Sequence, residues 1–233
     1  MIDARKLLDQ FLGAQVPGMQ GTVRDKATEA VNLARDNPLA TSAIAGVLLG
    51  TKTGRSIATN ALTLGGLAAI AGLGYQAYRN YKAGEEPQSQ PETQKQPQLL
   101  PPPSDSGFST TPAIASNDFA LTLVRAMIAA ARADGHIDEA ERRQILGKIG
   151  QAGLGAEAEA FIGRELANPV DIDAIVAAAT TEEQRVEIYT ASRLAIEPDT
   201  RAERGYLDLL AGRLGLADAL VDHIDATVTT AKA

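Results

Sequence analysis

Apolar positions along this chain recur with the helical period, and the apolar/polar alternation of a half-buried strand is almost absent. Over residues 3–12, Leu7, Leu8, Phe11 and Leu12 share one side of a helix. Asp3, Arg5, Lys6, Asp9 and Gln10 lie largely opposite, and Gly13 and Pro17 end the pattern. A second helical stretch of mixed charge runs from Thr22 to Arg35. It stops at Asn37-Pro38, because proline disfavours a helical conformation in the residue before it. Residues 1–36 therefore read as N-terminal amphipathic helices.

The pattern then changes from amphipathic to uncharged. No charge occurs from Asn37 to Thr51, and after Lys52 and Arg55 a second run, Ser56 to Tyr78, is uncharged for 23 residues. As a helix, that run reaches about 34 Å, enough for a hydrocarbon core of about 30 Å. Tyr75, Tyr78 and Tyr81 gather with Arg79 and Lys82 at its end, the composition of an interfacial anchor. Small residues recur four apart, Gly46, Gly50 and Gly54, then Ala61, Gly65 and Ala69, which lets helix backbones approach and pair. Residues 37–83 are expected to be a Gly/Ala-rich membrane-associated helical segment whose best span is 56–78. A soluble helix-pairing segment that forms the core of an oligomer is the alternative. Basic residues flank the span on both sides, so charge leaves its orientation open.

Residues 84–115 are dominated by Pro, Gln and Ser, including Pro101-Pro102-Pro103. Such a tract buries too little apolar area to offset its ordering entropy, and a disordered linker is expected.

Helical periodicity returns from Ser116. Phe119, Leu121, Leu123, Val124, Met127, Ile128 and Ala131 make an apolar face that stops at Asp134-Gly135. Further helices are expected from Asp138 through Ile149, Ala156 to Ala167, Asp171 to Ala179, Thr181 to Ile196, Thr200 to Leu214 and Ala217 to about Thr230. Thr181 with Gln184 forms a candidate capping box. Short helices with short connections predict an orthogonal all-α bundle over 116–233.

Composition narrows the function. Hydrophobic residues make up 45% of the chain but aromatics only 4%, so helices pack on Ala, Leu, Ile and Val. A formal charge of −7 argues against general nucleic-acid binding, which needs clustered Lys and Arg. The absence of Cys removes disulfides, thiolate metal sites and Cys nucleophiles. The start of the chain does not read as a secretory signal. His136 and His223 fall on a loop and on the last helix, and no nucleophile–base pair or phosphate-binding glycine loop is visible. No catalytic residue is expected.

Two helix-to-helix corners are alike: Ala133-Asp134-Gly135-His136-Ile137-Asp138-Glu139-Ala140-Glu141-Arg142, and Ala195-Ile196-Glu197-Pro198-Asp199-Thr200-Arg201-Ala202-Glu203-Arg204. Aligned on Glu-Arg they lie 62 residues apart, position 141 matching 203, which reads as a pseudo-repeat. An EF-hand register would put Ala130 and Arg132 at ligand positions one and three, which rejects it. Capping boxes, Asp138 with Glu141 and Thr200 with Glu203, explain several of the carboxylates. Asp134 stands apart, since a carboxylate at a helix C-terminus opposes the dipole unless it is compensated. Convergence of Asp134, Asp138, Glu141, Asp199 and Glu203 would give an all-oxygen site for a divalent ion of the Ca or Mg type.

These two corners, with Gly205-Tyr206-Leu207-Asp208-Leu209-Leu210-Ala211 after the second, resemble the TerB-like fold associated with tellurite resistance. More narrowly, with the Gly-rich stretch Gly46 to Tyr81, they resemble the YebE-like bacterial inner-membrane proteins, domain of unknown function family 533. The resemblance implies a helical domain that binds metal through its acidic corners, carried over to Asp134, Asp138 and Glu141 and then to Asp199 and Glu203. Ile196 stands where the first corner has Asp134, a departure from a symmetric site. The expected protein is a membrane-tethered, non-enzymatic module at the bacterial inner membrane, binding a divalent metal ion or a protein partner in envelope or metal stress. The alternative is a soluble scaffold that self-associates through its Gly/Ala helix.

Overall fold

A computed structural model of the chain describes residues 3–4, 7–8, 66–87, 102–108, 117–133, 142–143, 145–147 and 156–232. Among them, every regular element is a helix: α1 (Gly66–Lys82), α2 (Asn117–Ala131), α3 (Ala156–Ala167), α4 (Ile172–Ala177), α5 (Glu182–Ala195), α6 (Arg201–Leu214) and α7 (Asp218–Lys232). The all-α expectation holds for these residues. Residues 142–143 and 145–147, inside the expected helix that begins at Asp138, are helical too.

Local chemistry sets the helix ends. The Asp171 carboxylate accepts from the Ala174 N–H at 2.9 Å and opens α4. At α6 the Thr200 hydroxyl accepts from the Glu203 N–H, and Glu203 Oε2 accepts from the Thr200 N–H, completing the expected capping box. Gly215, at φ 66°, closes α6 in the left-handed conformation that glycine adopts without steric cost. The box expected at α5 forms only in half. Thr181 accepts from the Gln184 N–H at 3.2 Å, but Gln184 Oε1 accepts from Thr180, whose N–H and hydroxyl both lie 2.8 Å away. Two donors on one upstream residue outcompete the single N–H of the cap.

α5 is the axis of the bundle. Every residue from Val186 to Ala195 is buried, and α1, α2, α6 and α7 all pack against it. Ser192 donates to the Ala126 carbonyl of α2 at 3.4 Å. Arg125 of α2 pairs with Glu165 of α3 at 3.0 Å, while Arg132 donates to the Glu165 and Asn168 carbonyls at the end of α3. Arg213 and Asp173 tie α6 to α4. Ala4, Leu7 and Leu8, on the expected N-terminal helix, are fully buried, and the Ala4 N–H donates to Asn117 Oδ1 at the start of α2.

α1 contains residues 66–78 of the expected span; 56–65 lie outside the described residues. From Gly66 to Gly74 all of its residues but Ala68 are buried, and it packs on α7 and α5. Gly74 marks the close approach: a Cβ there would meet Val186 Cγ1 at 3.2 Å, Phe108 Cε1 at 3.3 Å and Thr190 Oγ1 at 3.4 Å. The tyrosines expected to anchor in an interface instead meet protein rings, Tyr75 and Tyr78 against Phe108 and Tyr81 against His223. Among the described residues no helix is long and apolar enough to cross a membrane. Within the expected linker, residues 102–108 carry an ordered anchor, with Pro102 buried and Phe108 fully so.

Candidate functional site

The second corner, Ala195 to Arg204, lies within the described residues and gathers cations. Lys232, from the last turn of α7, donates to the Ile196 carbonyl at 2.8 Å and the Arg193 carbonyl at 3.2 Å, and pairs with Glu197 at 3.1 Å. Arg193 donates to the same Ile196 carbonyl at 2.9 Å. Arg204 reaches back from α6 to the Pro198 and Asp199 carbonyls at 2.8 and 2.9 Å. α5 ends where its carbonyls lose intrahelical partners, so its negative dipole end and Glu197 together draw positive charge. Three side-chain cations supply it.

Behind the corner, Arg193 continues into a polar seam between α5 and α7. Its side chain is only 6% exposed; Nη2 donates to Thr229 Oγ1 at 3.1 Å, and Nε lies 3.3 Å from Asp225 Oδ1. The Tyr189 hydroxyl donates to that same oxygen at 3.3 Å. Burial pushes the Asp225 carboxyl above the ordinary carboxylate range, against the opposing pull of the Arg193 guanidinium. Burial also raises Tyr189, with the Asp225 charge adding to it. Lys232 is lowered to about 8 by burial, with Glu197 opposing the shift. Asp222, Asp225, Ala226 and Thr229 of α7, with Pro87, line an open depression of about 380 Å³ over this seam.

The expected ligand residues divide between the two corners. Asp134, Asp138 and Glu141 lie outside the described residues, as does His136. Glu203 Oε2 is held by the N–H and hydroxyl of Thr200, at 2.9 and 2.8 Å. Asp199 is exposed at the turn, its N–H donating to the Glu197 carbonyl at 2.7 Å. Among the described residues no group of three or more His, Cys, Asp or Glu side chains is placed to hold a metal ion. His223 is buried on α7, against the Tyr81 ring.

Arg193, Asp225, Tyr189 and Lys232 escaped the sequence reading. Tyr189 and Arg193 are four apart, on one face of α5, and such a spacing is ordinary for a solvated helix. The missing information was that α5 is buried on every side, which turns an unremarkable Arg into a buried charge that must be paired. The legible signal was Glu187, Thr190, Ser192 and Arg193 interleaved with Val186, Ile188, Tyr189 and Leu194 in one helix with no wholly polar face.

Residues 35–228 match the model of the family described as "Protein of unknown function (DUF533)". A Yersinia enterocolitica protein described as "Uncharacterized protein in ampR 5'region" is 29% identical over 110 residues, 47% of this chain and 79% of that relative. No solved structure matches the chain. Since the family match takes in well over half of the sequence, from before the Gly/Ala segment to within α7, the chain belongs to the DUF533 family.

Proposed function

We propose that this chain is a non-enzymatic, membrane-associated module of the bacterial inner membrane whose TerB-like helical domain takes up a divalent cation at the first acidic corner. The observation that carries the reading is the second corner, where the carbonyls of Ile196, Pro198 and Asp199, with Glu197, draw in Arg193, Lys232 and Arg204. A turn of this pattern is a receptacle for positive charge. The first corner, 62 residues earlier, shares its Ala133, Ala140, Glu141 and Arg142 with this turn, has Gly135 in place of Glu197, and carries Asp134 where the second corner has Ile196. Hard carboxylate oxygens suit Ca²⁺ or Mg²⁺. Asp199 and Glu203 belong to the corner that already has its own cations, so the ligand role falls on Asp134, Asp138 and Glu141. Membrane association rests on the uncharged run 37–51 and on 56–65, the part of the second run that precedes α1.

Thermal unfolding of the full-length protein with Ca²⁺, Mg²⁺ or Mn²⁺ tests the metal. An ion at 100-fold its Kd adds about 2.7 kcal/mol. Asp134→Ala should abolish that gain and Asp199→Ala should leave it intact. No gain with any ion, or an equal gain in Asp134→Ala, removes the proposal.

The docking of α1 on α5 and α7 favours a second reading, in which the Gly/Ala segment pairs with protein helices rather than lipid and the chain is a soluble self-associating scaffold with that segment as its oligomer core. A membrane pellet that resists carbonate supports the first reading. A high-mass species that stays in the supernatant supports the second.

A further inference from the structure

Phe108 lies in a tract of Pro, Gln and Ser, yet it is fully buried. Its ring sits edge-on to Tyr75 at 5.6 Å and tilted against Tyr78 at 5.8 Å, both on α1. It enters where Gly74 has no side chain, beside Val186 and Thr190 of α5. The backbone leading to it is shaped for the purpose. Ser106 donates to the Pro103 carbonyl at 2.6 Å and accepts from the Phe108 N–H at 3.4 Å, making a compact turn. Gly107, at φ +80°, passes Glu183 of α5 so closely that a Cβ would lie 3.1 Å from its carboxyl carbon. Phe108 is thus a wedge that touches α1 and α5 at once.

The polar ties from this end of α1 to α5 are weak. Tyr78 donates to Glu182 at 3.0 Å and Lys82 pairs with Glu182 at 3.6 Å, but both partners of the ion pair are about half exposed, 53% and 50%. Solvent and salt screen such contacts. Apart from Tyr75 and Tyr78, the buried residues in the C-terminal half of α1 are Leu73 and the small Gly72, Gly74 and Ala77, which bury little area each. An aromatic ring supplies several times more buried apolar surface than any of them.

We propose that residues 102–108 form a strap that clamps α1 onto α5 through Phe108, and that this clamp sets whether the C-terminal half of α1 stays in the bundle. The strap lies in the tract between α1 and α2, so the element that holds the apolar helix is carried by the segment that otherwise acts as its tether.

The chain has no cysteine, which makes thiol labelling a clean test. Full-length protein carrying Ala77→Cys reports on α1, and protein carrying Ser192→Cys reports on the α2–α5 core; both sites are fully buried. Adding Phe108→Ala should speed maleimide labelling at position 77 roughly tenfold or more while leaving position 192 protected, because only the local opening becomes easier. Phe108→Leu, which keeps most of the apolar volume, should give a smaller increase at position 77. Unchanged protection at 77 in Phe108→Ala overturns the strap. An equal gain at 77 and 192 overturns it as well, since Phe108 would then be an ordinary core residue. If Phe108→Ala does not fold, Phe108→Leu decides by the same comparison.

Discussion

Replacing Arg193 with Met tests whether the α5–α7 seam holds the C-terminal helix. Methionine keeps most of the buried volume and removes the guanidinium, so the loss is electrostatic rather than a cavity. Breaking a wholly buried ion pair costs about 3–5 kcal/mol, because a charge is left uncompensated. Here three features lower that figure. The Asp225 side chain is 40% exposed and can rehydrate. Tyr189 still donates to it at 3.3 Å. The Ile196 carbonyl keeps Lys232 at 2.8 Å. What is lost outright is the donation to Ile196 and Thr229 together with part of the Asp225 attraction, about 2 kcal/mol in all. For a chain of this size that lowers Tm by roughly 4–8 °C. Urea unfolding followed by far-UV circular dichroism, with the Arg193→Met/Asp225→Asn double variant completing a cycle, should give a coupling of about 1 kcal/mol between the two positions. A loss below about 0.5 kcal/mol would show that desolvation of Arg193 already offsets its bonds. A loss above about 4 kcal/mol would show that Asp225 stays dry when its partner is removed, and would refute the rehydration argument.

Thr200→Ala removes the acceptor for the Glu203 N–H and the hydroxyl that donates to Glu203 Oε2, leaving only the backbone N–H of residue 200 on that oxygen, and should cost about 1 kcal/mol in urea denaturation; no change would mean that water replaces the cap at no cost. Lys232 is depressed from 10.5 to about 8 in the folded chain, so between these values the unfolded state binds more protons, and stability should rise as pH climbs above about 8. Tyr206, raised from 10.0 to about 12, and Tyr189, also raised, act in the opposite sense above about pH 10 and end that rise. In Lys232→Met the rise between pH 8 and 10 should vanish, and its persistence would place the titration elsewhere. Gly74→Leu should cost about 1–3 kcal/mol by overpacking the α1–α5 seam, where a Cβ already meets atoms at 3.2–3.4 Å. Gly163→Ala, whose nearest neighbour is Leu146 at 3.8 Å, should raise stability by about 0.5–1 kcal/mol; equal effects at the two glycines would contradict the packing described for α1.

Much of this protein is local in origin and was legible in the order of its residues. The α2 face from Phe119 to Ala131, the bounds of α3 and the Thr181 and Thr200 caps depend on neighbours within four positions, where periodicity and capping act. The full box at Thr200/Glu203 was readable for that reason, and the half-box at Thr181 departed only through its adjacent residue Thr180. The destination of an apolar helix is not local. Residues 66–78 are uncharged whether they face lipid or protein, and only packing put Gly66 to Gly74 against α5 and α7. Phe108 is one aromatic in a polar tract, and its burial depends on a slot made by Gly74, 34 positions earlier, and Val186, 78 positions later. The cations at the second corner come from α5, α6 and the far end of α7, so a corner that reads as free carboxylates is neutralised by Lys232 only once the chain has closed on itself. Burial and long-range charge pairing are properties of the assembled bundle, and they turned Arg193 and Asp225 from surface-like letters into the seam that holds it.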